Sequence, residues 1–168
     1  MLRVSAAQEV TDELIRAVHR LLPQLSSARL PSGAEIDEIV TSPATTLLVA
    51  RDDDLGDGGS PGGPGPGQMA DAGGPDGPIV GMLTLVIFRI PTGVRAWVED
   101  VVVDASAGRR GIGTALIEAA LETAAAQGAL TVDLTSRPSR ESANRLYQKV
   151  GFELRQTNVY RYGLGGRP

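Results

Sequence analysis

Apolar residues alternate at Leu2, Val4 and Ala6, the two-residue period of a short strand with one covered face. From Thr11 the period lengthens. Leu14, Val18, Leu21 and Leu25 step by four, three and four, with Ile15 and Leu22 alongside, which predicts a helix capped by Thr11 and made irregular at its end by Pro23. Residues 34–40, between Pro31-Ser32-Gly33 and Ser42-Pro43, read as a second, shorter helix. Strand-like runs follow at 46–50 and 79–88, then the turn Pro91-Thr92-Gly93 and a β-branched run over 96–104. Beyond a glycine-rich turn the spacing predicts a helix over 111–127 with Gly128 at its C-cap, a strand over 131–135, a helix over 139–150 and closing strands at 151–154 and 158–162. This order predicts a single mixed α/β domain over residues 1–168: a central sheet, part antiparallel and part parallel, flanked by helices.

The interval between the second and third strands has a different character. Residues 56–78 hold ten glycines and five prolines, and little apolar surface accompanies them, so residues 52–78 read as a disordered insertion closing a long hairpin. It also distorts the charge. Asp52, Asp53, Asp54, Asp57, Asp71 and Asp76 meet no cation there, so a whole-chain charge of −4 leaves +2 for the remainder.

The 168 residues include no cysteine and one histidine, His19, which falls away from the apolar stripe and reads as a solvated helix residue. Thiol catalysis, disulfides and the common zinc sites are excluded, and no metal site is expected. No apolar run approaches the roughly 18 residues of a membrane span, and the first residues lack the form of a secretory leader, so a cytoplasmic location is expected without membrane partners. Six aromatic residues and the absence of a long basic stripe argue against nucleic acid as a partner.

The most informative segment runs from Trp97 through Glu99-Asp100-Val101-Val102-Val103 into Gly108-Arg109-Arg110-Gly111-Ile112-Gly113-Thr114. A β-branched strand feeding a glycine-rich turn that opens a helix gathers unpaired N–H groups and the positive end of the helix dipole, and two arginines add charge. Such a turn suits a phosphate. It is neither common phosphate loop. Thr114 stands where a P-loop requires lysine, and Leu116 where the dinucleotide fingerprint requires its third glycine, so neither nucleotide hydrolysis nor a nicotinamide cofactor is expected.

These residues resemble the GNAT superfamily of acetyl-CoA-dependent N-acetyltransferases. The resemblance rests on Val101-Val102-Val103 followed by Gly111-Ile112-Gly113, and on a helix that runs through Leu146-Tyr147 into Gly151-Phe152. One departure is plain: the family's Arg or Gln falls on Gly108, and Arg109 occupies a place often held by Gly. The resemblance implies acetyl-CoA as cosubstrate, its pantetheine arm along the backbone of Val101, Val102 and Val103. Its diphosphate would lie on Gly108, Arg109, Arg110, Gly111, Ile112, Gly113 and Thr114, and a homodimer is possible. Asn144, one turn before Tyr147, is a further candidate for the arm.

Acetyl transfer to an amine needs a neutral nucleophile and a proton for the departing thiolate. Only about one alkyl ammonium in a thousand is deprotonated at neutral pH, so a base is useful, and a tyrosine with pKa near 10 suits the acid role. The resemblance makes Tyr147 that acid; a core tyrosine packed under Phe152 is the alternative. Glu99 and Asp100 are the base candidates. Strict alternation places Trp97, Glu99, Val101 and Val103 on one face and Val98, Asp100 and Val102 on the other, which favours Glu99 as base or ammonium anchor. Trp97, Glu99, Asp100 and Ser136 are candidate substrate contacts. The resulting expectation is N-acetylation of a small-molecule amine. Acetylation of a protein or peptide, and an acyl-CoA-sensing module without turnover, are the alternatives.

Overall fold

A computed structural model describes residues 1–55, 77–108 and 110–164. Most of the expected insertion, 56–76, and Arg109 lie outside the described residues. Two compact units are formed, Met1–Thr135 and Ser136–Pro168.

The first unit is built on five strands, β1 Leu2–Ala6, β2 Thr45–Asp52, β3 Ile79–Ile90, β4 Gly93–Val103 and β5 Ala129–Leu134. They lie in sequence order, with β1 to β4 antiparallel and β5 parallel to β4. A mixed sheet is what the element order predicts. The only connection here between parallel neighbours, β4 to β5, passes through a helix, as a parallel pair requires. Helices α1 Asp12–Leu21 and α2 Gly33–Thr41 precede β2, and α3 Ile112–Ala126 forms the crossover.

Local chemistry fixes the helix starts. The Thr11 hydroxyl accepts from the Leu14 N–H at α1, and Ser32 and Glu35 form a reciprocal capping box at α2. Pro23 turns the end of α1 into a short tight turn over Leu22–Gln24, as expected. His19 is not solvated. It is half-buried, and its Nε2–H donates to the Pro31 carbonyl at 2.8 Å, pinning the connection between α1 and α2.

The sheet divides two apolar layers. Leu47, Val49, Met82 and Val102 pack with Leu14, Val18, Leu21 and Ile36 of α1 and α2. On the opposite face lie Leu83, Leu85, Ala96 and Val98, all buried, together with Gly81. There a Cβ on Gly81 would stand only 3.0 Å from Ile112 and 3.2 Å from Leu116, so α3 approaches the sheet through the missing side chain.

The boundary between β2 and the insertion differs from expectation. β2 continues through Asp52, and Asp53–Leu55 form one tight helical turn, so the insertion does not begin at Asp52. Composition places Asp52 in the linker, whereas it pairs with Leu2 of β1 and its carboxylate accepts from Arg110, 58 positions away.

The second unit contains one helix, α4 Glu141–Val150, stopped by Gly151 at φ +114, where the N–H groups of Gly151 and Phe152 donate to the Tyr147 carbonyl. The closing strands expected at 151–154 and 158–162 are not formed. Residues 152–164 have no regular structure, and Leu154, Val159, Tyr160 and Tyr162 are exposed. β-propensity becomes a strand only where another strand supplies a ladder, and the described residues of this unit contain none. No helix among the described residues is long and apolar enough to cross a membrane.

Candidate active site

The junction of β4 and α3 is shaped first by an irregularity in the strand. Glu99 pairs with Thr84 and Val102 with Met82, so Asp100 and Val101 together oppose the single residue Leu83. This is a β-bulge, and Asp100 carries it at φ +51, a left-handed conformation that Asp tolerates far better than the valines beside it. The extra residue reverses the alternation. Glu99 therefore shares its face with Val102, not with Val103 as strict alternation predicts; Val103 pairs with Gly81 on the α3 side.

Neither acid is buried. Glu99 and Asp100 are both exposed, which removes the expectation that two carboxylates inside a covered strand must carry a desolvation cost. Glu99 accepts a hydrogen bond from the Trp97 indole N–H at 2.8 Å, so two of the expected site residues are joined, with the carboxylate oriented by the ring.

The turn that follows is clamped from several directions. The Asp104 N–H donates to the Val80 carbonyl at 2.8 Å. Its carboxylate accepts from the Ser106 N–H at 3.0 Å, the Ser106 hydroxyl at 2.8 Å and Arg20 Nε at 3.1 Å. Burial by itself would raise the Asp104 pKa, but the Ser106 and Arg20 hydrogen bonds outweigh it and hold the group below the usual carboxylate value. Gln24 accepts from the Ala105 N–H at 2.9 Å, so the end of α1 grips the turn at two points.

Past Gly108 the chain reaches Arg110 and then Gly111 at φ +76, and α3 begins with no side-chain cap. A Cβ on Gly111 would meet nothing within 4 Å, so glycine is needed for the backbone conformation alone. The first-turn N–H groups at Ile112, Gly113 and Thr114 are thus left without a side-chain cap. Ile112 itself is buried, leaving only its backbone for a ligand. Arg110 Nη1 donates to Asp52 Oδ2 at 2.7 Å. The expected neighbour Arg109 lies outside the described residues.

The remaining expected residues belong to the second unit. Tyr147 is 8% exposed, its ring lies edge-on to Phe152 at a centroid distance of 6.0 Å, and burial raises the phenol pKa against a smaller lowering effect of Arg140. The packing alternative weighed for Tyr147 is thus present in the structure, and it leaves the hydroxyl without a hydrogen bond among the described residues. Asn144 Nδ2 donates to the Arg137 carbonyl at 3.0 Å and reaches the Pro138 carbonyl at 3.5 Å, holding the loop before its own helix. Ser136 Oγ is buried with no hydrogen-bond partner among the described residues.

Asp52, Arg20, Gln24 and Asp104 were not among the candidates. Asp104 had a local signal, since Asp-x-Ser at a strand end favours a side-chain-capped turn. The other three act across long sequence separations.

The chain belongs to the acetyltransferase (GNAT) family, whose model matches residues 65–152. Its fold is shared by solved acetyltransferases. An acetyltransferase of Trypanosoma brucei is 26% identical, with TM-score 0.69 over 98% of this chain and 100% of that one. An aminoglycoside acetyltransferase from an uncultured soil metagenomic sample, solved in complex with sisomicin, is 17% identical, with TM-score 0.72 over 97% and 96%. Glucosamine-6-phosphate N-acetyltransferase of Arabidopsis thaliana is 16% identical, with TM-score 0.67 over 96% and 98%. No curated protein matches the sequence.

The residues present suit a coenzyme A ester. An uncapped α3 N-terminus directly preceded by Arg110 matches a diphosphate. Among the described residues no group of three or more His, Asp or Glu is placed to hold a metal ion.

Proposed function

We propose that this protein transfers the acetyl group of acetyl-CoA to a primary amine of a small molecule. The observation that carries the reading is the uncapped start of α3 after Gly111, with Arg110 at its mouth and the bulged β4 leading into it. Acetyl-CoA supplies an activated thioester; everything else is the work of this chain.

In this reading the first-turn N–H groups of α3, with Gly108, Arg109 and Arg110, hold the diphosphate, and the backbone of Val101, Val102 and Val103 guides the pantetheine arm. A bulge supports that role because it interrupts ladder pairing and frees backbone groups inside a strand. Glu99, oriented by Trp97, draws the substrate ammonium and takes its proton, with Asp100 as a second negative charge beside it. Asn144 and Ser136 serve the cosubstrate or the acceptor. Tyr147 returns a proton to the departing sulfur. A phenol whose pKa is raised by burial stays protonated at neutral pH, the form that an acid must have.

The test is a panel of amino sugars, polyamines, aminoglycosides and short peptides incubated with acetyl-CoA and read by free thiol release. Acetylation of one or more small amines supports the reading. Turnover confined to peptides would make the protein a peptide N-acetyltransferase, and tight CoA binding with no turnover at all would make it a sensor.

A further inference from the structure

Asp52 presents an unusual combination. It is the one charged residue of the described chain that is fully buried, at 2% exposed, yet it sits at the last position of β2, where a local reading sees only the start of an acidic linker. Its two oxygens are divided. Oδ1 accepts from the Asp54 N–H at 3.2 Å and lies 3.7 Å from the exposed Met1 ammonium, and Oδ2 accepts from Arg110 Nη1 at 2.7 Å. Arg110 is different, with a side chain 44% exposed, and among the described residues Asp52 is its single hydrogen-bond partner. One N–H of the guanidinium is therefore tied to a buried carboxylate, on a half-exposed arginine that immediately precedes Gly111, the N-cap of α3.

A carboxylate out of water keeps its cation, because leaving it unpaired costs more than the pair gains. The flexible arginine head is thereby ordered before any ligand arrives, and an ordered donor binds an anion without the entropy loss of immobilising a long side chain. Asp52 also places a negative charge near the phosphate, so electrostatics alone would make its removal favourable to anion binding. The two effects oppose each other, and hydrogen-bond geometry separates them.

We infer that Asp52 is a positioning residue for the diphosphate of coenzyme A, acting through Arg110 and touching neither cosubstrate nor acceptor. This rests on the acetyl-CoA reading above. An asparagine at position 52 keeps an oxygen that accepts from Arg110 and loses the charge; an alanine loses both.

The experiment is calorimetric titration of the full chain, parent and the variants Asp52→Asn and Asp52→Ala, with CoA and separately with pantetheine, which lacks the diphosphate. Melting temperatures are recorded alongside. Positioning predicts that Asp52→Ala weakens CoA roughly tenfold while pantetheine is unchanged, and that Asp52→Asn restores most of the loss. A purely structural role would shift melting temperature or both ligands together, and leave the CoA-to-pantetheine ratio at the parent value; that result overturns the inference. Tighter CoA binding in both variants would overturn it as well, by showing that Asp52 competes for Arg110. If the parent binds pantetheine and CoA equally, or binds neither, the reading of the α3 turn fails first and this inference with it.

Discussion

The junction of β4 and α3 and the helix α4 both present expected functional residues, but they are held in opposite ways. At the junction three groups are tied by residues far along the chain: Arg110 by Asp52, Asp104 by Arg20, and the Ala105 N–H by Gln24. In the second unit the ties are local. Asn144 bonds to Arg137 and Pro138, Arg145 to Glu141, and the N–H of Phe152 to the carbonyl of Tyr147. A site held by long-range ties is as rigid as the sheet beneath it, whereas one held by local ties keeps its shape only as well as its own helix does.

The largest effect should appear where the chemistry is assigned to the locally held unit. Tyr147→Phe keeps the edge contact with Phe152 and removes only the hydroxyl, so turnover should fall by about 100-fold with CoA affinity near the parent value. Steady-state kinetics together with a CoA titration would check this, and an unaltered rate would remove Tyr147 from the reaction.

Breaking a long-range tie should register in stability as well as in CoA affinity. Arg110→Ala removes the hydrogen-bonded cation of the buried Asp52 carboxylate, leaving it the exposed Met1 ammonium at 3.7 Å, and should cost about 2 kcal/mol, a drop of roughly 5 °C in melting temperature; the half-exposed arginine keeps this below the cost of splitting a fully buried pair. Adding Asp52→Asn to that variant should recover most of the loss, because the uncompensated charge is then gone. Recovery failing would mean that Arg110 packs rather than pairs.

A local tie should be worth less. Asn144→Ala removes the bond to the Arg137 carbonyl and should cost about 1 kcal/mol in thermal unfolding. A loss as large as that of Arg110→Ala would erase the contrast between the units.

The smallest effect concerns acid. The Arg110 hydrogen bond, against the opposing pull of burial, lowers the folded-state pKa of Asp52 below its usual 3.8. Its stabilisation is therefore complete above the unfolded value and disappears as pH falls through the depressed one. Urea unfolding of the parent should show that decline below about pH 4, and Asp52→Asn should lack this component. A variant with the parent's pH profile would show that the pair contributes no linkage.

Legibility follows the same division. The turn around Gly111-Ile112-Gly113, the helices and the Leu146-Tyr147 motif were readable, since each is written in neighbouring residues. The bulge was not. Nothing before Val101 marks the skipped register except that Asp100 is a residue able to take a positive φ, so strict alternation put Val103 beside Glu99 when Val102 belongs there. Asp52 was hidden for the reason already visible in its pairing, a partner 58 residues away behind a glycine-rich stretch. The final strands were over-read, because a β-prone sequence such as Val159-Tyr160 forms no ladder without an adjoining edge.

The claim that supports the rest is that the start of α3 grips the diphosphate of a coenzyme A ester. The direct measurement is equilibrium dialysis of the parent protein against acetyl-CoA in competition with inorganic diphosphate. Saturable binding of acetyl-CoA that diphosphate displaces, and that weakens steeply with added salt, is the predicted result. Absence of acetyl-CoA binding, or binding indifferent to diphosphate, would contradict it.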